Sequence, residues 1–350
     1  MSRVKLGDVA REYKATVKDA SGLPIVGLEH LTPGEITLDR WDEGTENTFT
    51  KEFKKGQVLF GRRRAYLKKA ALAPFDGVCS GDITVIEAIP GKILPDLLPF
   101  IIQNDLLFDY AVGKSAGSLS PRVKWIDLKD YEFELPEIGK QAPMVELLQA
   151  AHAARKAYKE LIQATDDLVK SQFIEMFGTI DCEGVLPRVQ WKNVLTIING
   201  KDYKAVAQDD GEYPVYGTGG IMARASQYLC PENSVLMGRK GTIDNPLLIR
   251  EKFWNVDTAF GVVPEPDKLN CVYLYWYCKQ LDFTKLNKAT TLPSTTKVDL
   301  LNLWINVPEM EEQLRFAEFA EQSDKSKFEL QEAIIRIDNL IKSLIQQDSE

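Results

Sequence analysis

The sequence predicts an α+β protein built of two similar globular modules and two long helices that pair antiparallel, related by an internal pseudo-two-fold repeat. Three observations predict it. The chain repeats itself in order and at nearly constant spacing, each copy opens with short β-like runs, and each closes in a long helical segment. At 350 residues the chain also exceeds what one hydrophobic core usually holds, so roughly two domains are the default.

The repeat comes first because a period this long marks a duplicated domain, not a solenoid. GQVLFGRRR (56–64) answers to NSVLMGRKG (233–241) at an offset of 177, and the same offset aligns DITVIEAIP (82–90) with AFGVVPEPD (259–267). Further on, LSPRVKWIDLKDYEFELPE (119–137) answers to TLPSTTKVDLLNLWINVPE (291–309) at an offset of 172. That offset persists through Gln141 and Gln313 to DDLVKS (166–171) and DNLIKS (338–343). GLPIVGLEHLTPGEI (22–36) resembles EYPVYGTGGIMARAS (212–226) more loosely.

The resulting order is a module over 1–136, a helix over 137–177, a linker and second module over 178–308, and a helix over 309–350. Runs such as QVLFG, ITVIEAI, VLMG and GVVPEP, punctuated by Gly, Pro, Asn and Asp, read as short strands. In the first helix Met144, Leu147, Ala151, Ala154, Tyr158, Leu161, Thr165 and Leu168 form a seam at the period of a coiled coil. Phe316, Phe319, Ser323, Ser326, Leu330, Ala333, Ile337 and Leu340 give the second seam. A helix of about 36 residues is roughly 54 Å long, too long to bury its stripe on one small module. The two helices therefore most simply pack on each other, with GTIDCEGVLPRVQ (178–190) as the turn between them. Two separate amphipathic helices, one per module, are the alternative.

Charge is uneven. The chain has 43 Lys+Arg against 51 Asp+Glu, a net charge of −8, yet residues 53–75 hold seven cations and no acid. The start, MSRVKLGDVAREYK, lacks the apolar stretch of a signal peptide, and no run of 18 apolar residues exists to span a membrane. Five scattered cysteines without a CxxC pair, and only two histidines, argue against a zinc site and fit a reducing cytoplasm. His30 reads as a loop residue and His152 as a helix-surface residue. Catalysis has no visible seat. There is no NPPY- or DPPY-like segment, no cofactor loop, and no Walker A spacing around GTGG (217–220). No cofactor and no metal is expected.

The layout, with LPEIGKQ (135–141) and VPEMEEQ (307–313) opening the helices and DDLVKS and DNLIKS near their ends, resembles the specificity subunit of a type I restriction–modification enzyme. YPVYGTGGI (213–221), GRKGTI (238–243) and LPSTTKVDL (292–300) agree with its recognition modules. The resemblance implies that each module is a target-recognition domain reading one half of a split site on double-stranded DNA. It implies that the helices form a spacer which docks methyltransferase subunits, two copies, and in some systems motor-nuclease subunits. It implies no chemistry in this chain. A coiled-coil interaction scaffold without DNA readout is the rival reading, and a stand-alone methyltransferase a remoter one.

DNA binding needs cations for phosphates and hydrogen-bonding side chains for base edges. In the first module the candidates after strand QVLFG are Arg62, Arg63, Arg64, Tyr66, Lys68 and Lys69. One arginine of the three would read a guanine edge and the others hold phosphates. The loop VGKSAGSLSPRVKW (112–125) adds Lys114, Ser115, Ser118, Ser120, Arg122 and Lys124. In the second module the counterparts are Arg239, Lys240 and Thr242, then Lys288, Thr290, Thr291, Ser294, Thr295 and Lys297. Tyr216, Thr218 and Arg224 on YGTGGIMARAS (216–226) complete the set.

Overall fold

The computed structural model describes residues 2–44, 48–180, 186–240, 243–282 and 294–345. It divides into two compact units: residues 1–159 with 331–350, and residues 160–330. Both units are mixed α and β, and each holds one part of both long helices, α1 (Ile138–Phe177) and α2 (Met310–Ile345).

The first unit is built on an antiparallel sheet of β1 (Ala10–Glu12), β2 (Val58–Gly61), β3 (Ala70–Leu72) and β4 (Ile83–Ala88), in the order β1-β4-β2-β3. Strand β2 reads VLFG and is buried throughout, as a continuous apolar run bounded by turn residues requires. A second sheet joins Ala15–Thr16, Lys51–Phe53, Gly77–Cys79 and Ile25–Val26, the last pair in parallel. Ser2–Lys5 pairs with Glu132–Leu135 as a separate ribbon. Phe60 stacks on Phe108 at 5.5 Å in a core that also takes in Leu148 of α1 and Ile345 of α2. Arg155 Nη1 lies 3.2 Å from Asp338 Oδ1. Early α1 thus meets late α2, and the two segments run antiparallel in this unit.

The second unit repeats the plan. Strands β5 (Leu195–Asn199), β6 (Ser234–Gly238), β7 (Leu247–Ile249) and β8 (Ala259–Pro264) stand in the order β5-β8-β6-β7, the same as in the first unit. The looser upstream match is also structural. Ile25–Val26 pairs in parallel with Val78 and Cys79, and Val215–Tyr216 pairs in parallel with Trp254 and Asn255. After that the copies part: Leu28–His30 is a short 3-10 turn, whereas Tyr213–Gly217 and Gly220–Ala225 form a hairpin. Phe173 of α1 packs edge-on to Phe316 of α2 at 5.2 Å, and Lys327 Nζ lies 2.6 Å from Asp166 Oδ1. Late α1 meets early α2, again antiparallel.

Each helix start is fastened to its own unit by a buried glutamine. Gln141 accepts the Leu94 N–H at 2.8 Å and donates to Pro136 O at 2.9 Å. Gln313 accepts the Asn270 N–H at 2.8 Å and donates to Pro308 O at 2.9 Å. Both side chains are fully buried, where an amide is stable only with its hydrogen bonds made.

Several sequence expectations need correction. The offset of 177 holds on β2 and β6, but Gly61 pairs with Ile83 and Gly238 with Ala259, so β4 and β8 are offset by 176. A slip of one residue exchanges the two faces of a strand, so the aligned runs were right and their register was not. The α1 seam keeps Ala151, which is buried, but is otherwise shifted. Leu147, Leu161 and Leu168 are exposed, while Val145, Leu148, Val169 and Phe173 are buried. Gln141, Leu148 and Val169 are spaced by 7 and 21 residues, and Val145 and Phe173 by 28, so the buried stripe keeps heptad spacing one residue along from the predicted seam. In α2 Phe316 is buried as expected, but Ser326 and Leu340 are exposed. The segment 178–190 is not all turn, because Arg188–Gln190 pairs with Trp304–Asn306. His152 is not a surface residue: it is half-buried, with Nε2 3.6 Å from Glu35 Oε2. No helix of the described residues is long and apolar enough to cross a membrane.

Candidate nucleic-acid interface

In the first unit the basic segment leaves β2 through Gly61, whose added Cβ would stand 3.0 Å from Lys69 O, so glycine lets the chain double back. Arg64 and Lys68, both with left-handed backbone (φ 54° and 52°), bracket the short turn Ala65–Leu67. Three backbone bonds then clasp this loop to its surroundings. Arg62 N–H donates to Asp82 O at 3.0 Å, Val123 N–H to Arg62 O at 3.0 Å, and Arg64 N–H to Pro121 O at 2.8 Å. The two sequence-predicted segments, 61–69 and 112–125, are therefore one surface.

An acid organises it. Asp82 takes a two-pronged bond from Arg122, Nε to Oδ1 at 2.6 Å and Nη2 to Oδ2 at 3.1 Å. Arg63 Nη1 lies 3.5 Å from Oδ2, and Arg63 Nη2 donates to Ser120 Oγ at 3.1 Å. The bond from Arg122 holds the Asp82 carboxyl below the usual carboxylate range. The Nε atoms of Arg62 and Arg63 are buried without a hydrogen-bond partner among the described residues. Lys68 pairs with Asp105 at 2.6 Å and Lys69 donates to Leu28 O at 2.7 Å, so both serve the unit's own packing. Lys114 sits over the Tyr110 ring at 5.6 Å, and Ser115 Oγ donates to Ala111 O at 2.8 Å. Arg64, Tyr66, Ser118 and Lys124 face outward.

The second unit has the same clasp. Arg239 N–H donates to Thr258 O at 2.8 Å and Thr295 N–H to Arg239 O at 3.1 Å. Lys240 bridges Ser294 as Arg63 bridges Arg122. Thr295 is buried with its Oγ1 3.4 Å from Gly238 O, and so braces the strand end instead of facing outward. The Arg239 guanidinium lies 5.8 Å from the centre of the Phe260 ring, and Lys240 is exposed. Lys297 opens the helix Lys297–Leu301, capped by Thr296, whose Oγ1 accepts the Asp299 N–H at 3.1 Å. Thr242, Lys288, Thr290 and Thr291 lie outside the described residues.

On the hairpin, Tyr216 Oη lies 3.4 Å from Glu251 Oε1, and burial raises its phenol pKa. Arg224 donates to Gly211 O at 2.5 Å and Glu212 O at 2.7 Å, which ties its guanidinium to the neighbouring turn. Thr218 lines a concavity of about 610 Å³ with Gly217, Gly220, Met222 and Thr258. Sequence reading missed Asp82 and Thr258. The signal was present in the repeat, since both stand directly before the aligned strands β4 and β8, but the one-residue register error hid their equivalence.

Known proteins agree with the layout. Residues 188–337 match the family described as type I restriction modification DNA specificity domain. The type I restriction enzyme EcoDI specificity subunit of Escherichia coli is 25% identical over 187 residues, 49% of this chain. The match spans only 40% of the length of that curated relative. Among solved structures, the S subunit of a type I restriction–modification system from M. genitalium is 13% identical, covering 99% of this chain and 96% of that one, with a TM-score of 0.63. A chain from work on complex assembly and conformational transition of the type I R-M system is 22% identical, covering 98% and 96%, with a TM-score of 0.58. These two likenesses establish the fold.

Proposed function

We propose that this chain, which belongs with the specificity subunits of type I restriction–modification enzymes, selects a bipartite target on double-stranded DNA and positions two methyltransferase subunits on it. In systems with a nuclease it also positions motor-nuclease subunits. Each globular module is a target-recognition domain for one half-site, and α1 and α2 pair as an antiparallel coiled-coil spacer between the modules. The chain works in the cytoplasm and leaves methylation and cleavage to its partners.

One observation carries the proposal. The same backbone clasp, Val123 to Arg62 and Thr295 to Arg239, unites the two basic, hydroxyl-bearing segments in each unit. Two equivalent loop surfaces on two equivalent sheets suit a target read as two halves. Their unlike side chains, Arg122 against Ser294 and Asp82 against Thr258, suit two unlike half-sites. The outward leucines of α1, such as Leu161 and Leu168, suit a helix face that partner subunits cover. The overall negative charge is no obstacle if acids face away from DNA and partners supply part of the nonspecific attraction.

The test is modification by the chain assembled with its methyltransferase subunits, read by sequencing modified DNA. Alanine at Arg62, Arg63 and Arg64, or at Arg239 and Lys240, is expected to abolish selective modification at one half-site each. Normal modification by both variants would favour the scaffold reading, in which the helices bind proteins and the modules read nothing. A continuous or palindromic target would sink the bipartite assignment.

A further inference from the structure

Arg122 stands apart from the other cations of the clasped surface in how firmly it is aimed. A guanidinium carries five N–H donors in one plane. Three are engaged here: Nε and Nη2 on Asp82 at 2.6 and 3.1 Å, and Nη1 on Ser120 O at 3.3 Å. Two donors are left, on a side chain that remains 40% exposed. Holding a phosphate does not require such fixing, because a mobile cation reaches it as well. Reading a base edge needs two N–H groups at a set angle, with the rotamer entropy already lost before DNA arrives. Arg64 and Lys124, exposed and without an ion pair among the described residues, fit the phosphate role. Arg63 is about as exposed, at 38%, but is aimed less firmly, with Nη1 3.5 Å from Asp82 Oδ2, Nη2 on Ser120 Oγ at 3.1 Å and no two-pronged bond to the acid.

We propose that Arg122, aimed by Asp82, reads a guanine in the half-site taken by the first unit, with Asp82 as the positioning residue. This rests on the reading of the clasped surface as DNA-facing. It moves base readout off the run Arg62–Arg64 and onto the loop that closes over it. The Asp82 charge also offsets part of the guanidinium charge, which weakens nonspecific attraction to phosphate and leaves geometry to decide. The second unit cannot do the same. Arg239 N–H meets Thr258 O as Arg62 N–H meets Asp82 O, and Lys240 bridges Ser294 as Arg63 bridges Arg122. The repeat therefore puts a threonine where the acid stands and a serine where the arginine stands. Readout by this arginine–aspartate pair belongs to one half-site only.

The experiment uses the chain assembled with its methyltransferase subunits and a pool of randomised duplex DNA, with modified molecules sequenced. For the unaltered chain a G·C pair is expected in one half-site. Arg122→Ala and Asp82→Asn should each relax the preference at that same pair by about tenfold or more, with the other half-site unchanged. Arg122→Lys keeps a cation for Asp82 but loses the second edge of the fork. It should relax the same pair while the melting temperature holds, which separates readout from folding. A target with no guanine in that half-site would overturn the proposal. So would Asp82→Asn and Arg122→Lys proteins that keep every position as selective as before, or that weaken both half-sites evenly. If alanine at Arg62–Arg64 and at Arg239 and Lys240 leaves the extent of modification undiminished, the DNA-facing reading itself falls, and that result is distinct from a failure of Arg122 alone.

Discussion

Gln141 and Gln313 each sit one turn into a long helix, buried, with one end of the amide on the backbone just before the helix and the other on a distant N–H, Leu94 and Asn270 respectively. Removing such a side chain leaves a buried N–H and a buried C=O without partners, which costs far more than the bond contributed. Gln141→Ala is expected to lower stability by about 2–4 kcal/mol, measured by urea titration. His152 is the other informative residue. Burial and then the charge of Arg155 hold its imidazole pKa below the ordinary histidine value, against which Glu35 acts more weakly. The folded chain thus takes up the His152 proton only at lower pH than the unfolded chain, which does so near the ordinary value of about 6.5. Its contribution is present above that pH and is lost as pH falls toward the folded-state value. Stability measured from pH 7 downward should fall in that window, and His152→Asn should flatten the fall. At lower pH a second loss follows from Asp82 and Asp105, whose carboxyls are held down by Arg122 and Lys68.

At the scale of the element, the two long helices show why a seam drawn from sequence went astray. Leu147, Leu161 and Leu168 satisfy a 3.5-residue repeat, yet they are exposed, and the equally apolar neighbours Leu148 and Val169 are buried instead. The stripe that is buried runs through Val145, Leu148, Val169 and Phe173, because each part of α1 packs on a sheet unit as well as on α2. Phe173→Ala, which empties a cluster of Phe177, Tyr273 and Phe316, should cost about 3–5 kcal/mol. Leu168→Gln should stay within about 0.5 kcal/mol and instead weaken assembly with the methyltransferase subunits, read by co-purification.

For the whole molecule, the proposed spacer has a metric consequence. On the proposed reading, the two half-sites are expected to have centres about 34 Å apart, one turn of DNA. Deleting one turn from both α1 and α2 shortens the ruler by about 5.4 Å. Sequencing of modified sites should then show the gap reduced by one or two base pairs or modification lost, with both half-sites unaltered. Altered half-sites would mean that the helices take part in readout.

The duplication, its two boundary offsets, the short strands and the two helices were legible from the chain because each is local: a strand, a turn or a helical period is written in neighbouring residues. The segments that meet at the clasp, 61–69 and 112–125, are also legible by their cations, but the contact between them is not. What only the tertiary structure decided is which side chains are spent. Lys68, Lys69 and Arg224 are consumed by partners inside their own unit, Thr295 is buried, and an unnoticed aspartate fixes Arg122. A sequence carries the charge of a residue, but its availability depends on what long-range packing puts within 3 Å of it. The helix face and the strand register were decided at that level too, since both depend on which surface lies opposite.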